Sequence, residues 1–248
     1  MDIIILLLGV SILLVIMYMF VGSGNKIVGR ITKDNLVIVT TNMPETSIGR
    51  QRRQNLANNF KGFHIIFNKG IRTNIPIETM YRLQTNLLHR FKESGYEYGI
   101  ICDDDFFPIQ HFLQELNETI LLLPKDWGCL HLCPGFLWGR LMRDKSMIGH
   151  LNPEGNTDIS GLSYHTSGRF FTASNYLQSS PYPWMGGPQA FCIKRTYVDE
   201  FLRKFKHEYN VNPDASDVIF TRIVDNKTFV CREPQLGYEE ECGGTTFL

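Results

Sequence analysis

Tyr96-Glu97-Tyr98-Gly99-Ile100-Ile101-Cys102-Asp103-Asp104-Asp105-Phe106-Phe107-Pro108 decides the fold of this chain. The run from Tyr98 to Cys102 is apolar and of strand length, so it predicts a buried β-strand. Asp103, Asp104 and Asp105 come next without a break. A strand that ends this way delivers three mutually repelling carboxylates to one point. A hard cation among them relieves the repulsion, because Mg²⁺ and Mn²⁺ prefer oxygen ligands. Asp103 and Asp105 are the predicted metal ligands, and Mn²⁺ or Mg²⁺ the predicted cofactor. A cation held there could bridge a diphosphate and neutralise charge on a leaving nucleotide. Pro108 is a plausible first residue of the next helix.

On both sides of this stretch, strand and helix patterns alternate. Residues 36–40 (LVIVT) and 63–67 (FHIIF) read as strands, with an arginine-rich helix over 46–60 between them. Met80, Leu83, Leu87, Leu88 and Phe91 fall on one face of a second helix. Ile109, Phe112, Leu113, Leu116 and Ile120 mark a third. Residues 128–133 and 189–193 are further strands; Tyr197, Val198, Phe201, Leu202 and Phe205 mark the next helix. A short helix around Val218 to Phe220 and a last strand over 228–231 close the pattern. This alternation predicts an α/β fold, a mostly parallel sheet flanked by helices. Ligands of open sheets bind beyond the carboxyl ends of the strands, where the Asp triplet sits. Residues 137–183 are rich in Gly, Ser, Asn and Tyr and read as a long functional loop.

Residues 3–21 (IIILLLGVSILLVIMYMFV) carry no charge and are long enough to span a bilayer as a helix. Only Met1 and Asp2 precede them, so an uncleaved N-terminal transmembrane helix is expected rather than a signal peptide. The expected organisation is an anchor over 1–24, a linker over 25–35 and a catalytic domain over 36–248, in a single-pass membrane protein. Lys26, Arg30 and Lys33 after the span favour a cytosolic domain. The sequons at Asn117 and Asn226 would be usable only in a lumen. Orientation therefore stays open. Of the 248 residues, 25 are Lys or Arg and 25 are Asp or Glu, so bulk charge points to no nucleic-acid partner. The six cysteines lack paired metal spacing and read as buried thiols, although their even count would permit disulfides in a lumen.

Other residues could complete a site. In Tyr182-Pro183-Trp184-Met185-Gly186-Gly187, the glycines allow close backbone approach and Trp184 offers a flat face to a sugar ring; the segment reads equally well as a turn into a strand. Asp217, with Asp214 in reserve, is the candidate base for an acceptor hydroxyl, although either could simply cap a helix. Arg50, Arg52 and Arg53 could grip phosphate, or form a solvated face. His131 and His165 could join a metal shell.

The strand, acidic triplet and aromatics, followed by Leu123-Pro124-Lys125-Asp126-Trp127-Gly128-Cys129-Leu130, resemble glycosyltransferases of the GT-A fold. The likeness is greatest to family 25, the lipopolysaccharide and collagen galactosyltransferase group. Gly186 to Phe201 resembles that family's later turn, strand and helix, and Asp217 its following acid. Asp103 stands where the family usually has Glu, and Thr41-Asn42-Met43-Pro44 replaces its Asn-Leu-Asp-Arg type of segment. The resemblance implies a GT-A-like, metal-dependent glycosyltransferase, a hexosyltransferase using a nucleotide sugar, first of all a UDP-sugar. The acceptor would be a hydroxyl of a glycan, lipid or protein. Asp104, Arg50, Arg53, Trp184, Gly186 and Gly187 would bind donor, and residues 137–187 would close over it. The alternative is a membrane-anchored binding or structural protein whose transferase fold has decayed.

Overall fold

The computed structural model describes residues 29–71, 73–132, 170–172, 190–231 and 236–239. The expected membrane span, His165, Trp184, Gly186, Gly187 and nearly all of the expected loop lie outside these residues. No helix among the described residues is long and apolar enough to cross a membrane.

The first half is built as the apolar pattern predicts. Strand β1 (Leu36–Asn42) is buried along its whole length. It pairs in parallel with β2 (His64–Lys69) on one side and β3 (Tyr98–Cys102) on the other, Val37 lying opposite both His64 and Gly99. Helix α1 (Ser47–Asn59) makes the first crossover. Thr46 caps it, its Oγ1 accepting from the Gly49 amide at 2.9 Å. Helix α2 (Pro76–Ser94) makes the second; it starts on Pro76 and stops at Gly95, whose φ of 81° is the left-handed cap that glycine adopts without cost. Its inner face holds Leu83, Leu87, Leu88 and Phe91 as expected, but Met80 is 37% exposed. Thr79 is buried instead and bonds Thr73 across the helix start. Gly99 has a packing reason: a Cβ there would come within 2.6 Å of the Phe91 ring.

The second half departs from simple alternation. Short β4 (Phe106–Pro108) pairs with β9 (Gly237–Glu239) as a separate two-stranded sheet. Pro108 therefore ends a strand rather than starting a helix. Helix α3 (Phe112–Leu122) begins four residues later, after His111 takes a left-handed φ of 61°. Strands β5 (Cys129–His131), β6 (Phe170–Thr172), β7 (Ala190–Lys194) and β8 (Thr228–Cys231) complete the main sheet in the order β2-β1-β3-β7-β5-β8-β6. Among the described strands, β1, β2, β3, β5 and β8 run one way while β7 and β6 oppose them. The sheet is thus mostly parallel, with β7 inserted in reverse at its centre.

Helices α2, α4 (Val198–Val211) and α5 (Ser216–Arg222) cover one face. There Val37, Val39, Ile101, Phe191 and Val230 pack with Leu87, Phe91, Phe201, Phe205 and Phe220. Alternation turns Ile38, Thr40 and Asn42 of β1 to the other face. Contact between Asn42 and Gly49 places α1 on that face. Phe60 stacks on Phe106 at 6.1 Å and meets Phe112 edge-on at 5.6 Å, joining α1, β4 and α3.

The compact unit that carries the sheet begins at Ile31. Ile31 is buried, and Asn117 of α3 clamps its backbone: the Ile31 amide donates to Oδ1 and the Asn117 Nδ2 donates to the Ile31 carbonyl, both at 2.8 Å. An Asn117 so engaged cannot also carry a glycan in the folded domain. Asn117→Ala should cost about 2 kcal/mol in urea unfolding, since it removes two buried hydrogen bonds and strands their backbone partners. Unchanged stability would show that the clamp contributes nothing. The described cysteines, Cys102, Cys129, Cys192 and Cys231, are all buried free thiols, as expected.

Candidate functional site

The carboxyl edge of β1 and β3 assembles a compact polar cluster. Asn42, the last residue of β1, donates from Nδ2 to the Gly49 carbonyl and to Asp104 Oδ2, each at 2.8 Å. Gly49 makes this possible, because a Cβ there would lie 2.0 Å from the Met43 carbonyl oxygen. Next on the inner face of α1 is Arg52, 6% exposed. Its Nη1 donates to Asp104 Oδ1 at 3.1 Å and its Nη2 to Asp105 Oδ2 at 3.0 Å. A single guanidinium thus bridges two adjacent carboxylates in the two-pronged geometry that arginine allows.

The triplet itself is a turn, closed by the Phe106 amide donating to the Asp103 carbonyl at 3.2 Å. Its three side chains have different settings. Asp103 is exposed. Asp104 is 3% exposed, with its two oxygens given to Arg52 and Asn42. Burial pushes the Asp104 carboxyl above its ordinary range, while Asn42 and Arg52 pull against that. Asp105 is half-buried as a residue, but its side chain is only 8% exposed, with one oxygen on Arg52. Beneath them, burial and the three carboxylates hold the Cys102 thiol well above its ordinary pKa, so it stays protonated.

The arginines expected to grip phosphate have three separate settings. Arg50 is exposed, and its Nη1 donates to the carbonyls of Pro44 and Glu45 at 3.2 and 3.0 Å. Arg53 is exposed and lies over the Phe67 ring at 4.2 Å. Arg52 alone of the three is brought to the triplet. Sequence carried a signal for it: Gly49, Arg52 and Leu56 recur at helical spacing and are the buried positions of α1. An arginine on a buried helix face requires carboxylates opposite it.

The candidate bases sit at the far half of the sheet. Asp214 precedes α5; its Oδ1 accepts from the Ala215 amide and its Oδ2 from Arg222 Nη2, both at 2.9 Å. Asp217 lies in the first turn of α5, and its side chain is outside what the structure describes. Phe220, one turn on, meets His131 at the end of β5 edge-on, with centroids 4.5 Å apart. Phe220 thus packs α5 against the end of β5. His131 itself is fully buried against Phe191 and Phe220 rather than beside the triplet. Among the described residues no group of three His, Cys, Asp or Glu side chains converges as a metal cage. Ala190 pairs with Cys102, so β7 enters the sheet at the residue from which the triplet departs. A groove of about 610 Å³ at the other end of α1, lined by Lys33, Lys61 and His111 among others, does not include the triplet.

No family model matches the chain, and no curated protein matches it. Solved structures do. A glycosyltransferase involved in the glycosylation of the major capsid of PBCV-1 aligns with a TM-score of 0.50 at 11% identity, over 85% of this chain and 94% of that one. A197 from STIV aligns at 0.45 and 12%, over 83% and 85%. The mannosyltransferase PcManGT from Pyrobaculum calidifontis, in complex with GDP-Man and Mn²⁺, aligns at 0.36 and 10%, over 81% and 57%. The first likeness defines the fold: this chain has a GT-A-like glycosyltransferase fold, a mixed α/β sheet flanked by helices.

Proposed function

We propose that the chain is a metal-dependent glycosyltransferase, moving a sugar from a nucleotide sugar, a UDP-sugar first, to a hydroxyl of a glycan, lipid or protein. The observation that carries this reading is the carboxylate turn Asp103–Asp105 at the carboxyl end of β3, inside a fold shared with a capsid glycosyltransferase. Mg²⁺ and Mn²⁺ sites on diphosphates take only one or two protein carboxylates and fill the rest from phosphate and water. Exposed Asp103, with Asp105 two residues on in the same turn, supplies a donor set of that size. When bound, the cation would supply charge neutralisation on the departing diphosphate.

The remaining roles belong to side chains of the chain. Asp104 anchors the turn from within. Arg50, Arg53, Trp184, Gly186 and Gly187 are assigned to the donor. Asp217 takes the acceptor proton if the anomeric centre inverts, and Asp214, tied to Arg222, stands in reserve. Residues 3–21 hold the enzyme at a membrane near its acceptor.

The test is calorimetric titration of the full-length protein with UDP- and GDP-sugars, with and without Mn²⁺, beside Asp105→Ala. One donor whose binding needs both metal and Asp105 supports the reading. No donor binding by a demonstrably folded protein would leave a decayed transferase fold serving as a binding or structural module.

A further inference from the structure

The transferase reading of this same site is the starting point, and Arg52 adds to it. A cation binding at the triplet must share Asp105 with a guanidinium already 3.0 Å from its Oδ2. The arginine takes one oxygen of that carboxylate and sets a permanent positive charge beside the space the cation needs. Nor can Arg52 easily leave. It is 6% exposed, and its other prong is held by Asp104, which Asn42 ties in turn to the Gly49 carbonyl. Like charges at short range in a poorly solvated site repel strongly. The bare triplet is therefore a weaker cation site than three consecutive aspartates suggest. A nucleoside diphosphate reverses the balance, since it brings its own anionic oxygens as ligands and offsets the arginine's charge.

We infer that Arg52 is a positioning residue that makes divalent-cation binding at Asp103 and Asp105 conditional on the donor's diphosphate. The arginine suppresses metal capture by the empty site, and cation and diphosphate bind as a pair. A purely structural Arg52 would stabilise the fold without setting that coupling.

The experiment measures Mn²⁺ binding by the full-length protein from the electron paramagnetic resonance signal of free Mn²⁺, alone and with UDP or GDP. Wild type should bind Mn²⁺ weakly alone and at least about tenfold tighter with one of the diphosphates. Arg52→Gln should tighten binding of Mn²⁺ alone about tenfold and shrink the enhancement by the diphosphate. Should that variant not fold, Arg52→Lys decides. Lysine is a single point of charge that cannot bridge both acids, so Mn²⁺ alone should bind severalfold tighter. The inference is overturned by a folded variant whose affinity for Mn²⁺ alone is unchanged or weaker. It is equally overturned by a wild type that binds Mn²⁺ as tightly without diphosphate as with it, a result that leaves the transferase reading standing. No Mn²⁺ binding by wild type under any condition would remove the metal-dependent reading itself, and this inference with it.

Discussion

Asp105→Ala and Asp103→Ala should each lower sugar transfer by at least about a hundredfold while leaving the protein folded. Removing one preorganised electrostatic contact to charge that develops in the transition state typically costs two to three orders of magnitude. Asp103 is exposed and lies outside the buried core. Asp105→Ala removes one end of the Arg52 bridge, and Arg52 keeps Asp104. Asp104→Asn should differ in kind. That carboxylate is buried and spends its oxygens on Arg52 and Asn42, so its loss should appear first as destabilisation of ~2 kcal/mol. Transfer rates and urea unfolding of the three variants, compared side by side, test this division. If Asp103→Ala keeps full activity, or if Asp104→Asn is as stable as wild type, the assignment of outward ligand and inward anchor fails.

The apolar pattern disclosed the elements well because burial on both faces leaves a near-continuous run. Residues 36–40 and 98–102 are such runs, and they became β1 and β3 with the triplet at the edge. Strand direction carries no such mark. Ala190–Lys194 reads as a buried strand whichever way it runs, and only its pairing with β3 and β5 reveals that it opposes them. Phe106–Pro108 is too short for a period to show, and its partner, Gly237–Glu239, lies far along the chain. Pro108 therefore reads as a helix start, whereas a proline at the end of a short edge strand is equally admissible. At the site, the types of residue were legible and their pairing was not. Three arginines close in sequence point to different quarters of α1, and only the one in phase with Gly49 and Leu56 reaches the acids. Asn42 lies in a segment whose one visible mark is its departure from a family pattern, and nothing local shows it to be the link between β1, α1 and the triplet.

His131 gives the clearest pH signature. Among the described residues neither of its ring nitrogens has a hydrogen-bond partner, and burial alone pulls its pKa down to about 3. In the unfolded chain a histidine titrates near 6.5. The folded state thus stays neutral as pH falls through 6.5 while the unfolded state gains a proton. Stability is full above that value and is lost on acidification, approaching 1.4 kcal/mol per pH unit until the folded pKa is reached. Between pH 7.5 and 5.0 the loss should be about 2 kcal/mol. The shifted carboxylates do not add to this loss. Glu200 and Asp225, both lowered, lose their contribution only below about pH 4.5, and Asp104, raised, works in the opposite sense. His131→Leu keeps an apolar side chain of similar bulk against Phe220 and removes the titrating group. That variant should be at least as stable as wild type at pH 7.5, because it no longer buries an unpaired polar ring. It should also show a flat stability profile down to pH 5.0. Urea midpoints of the two proteins at pH 7.5, 6.5, 5.5 and 5.0 give the comparison. Parallel profiles would mean that the imidazole is not held neutral by the core.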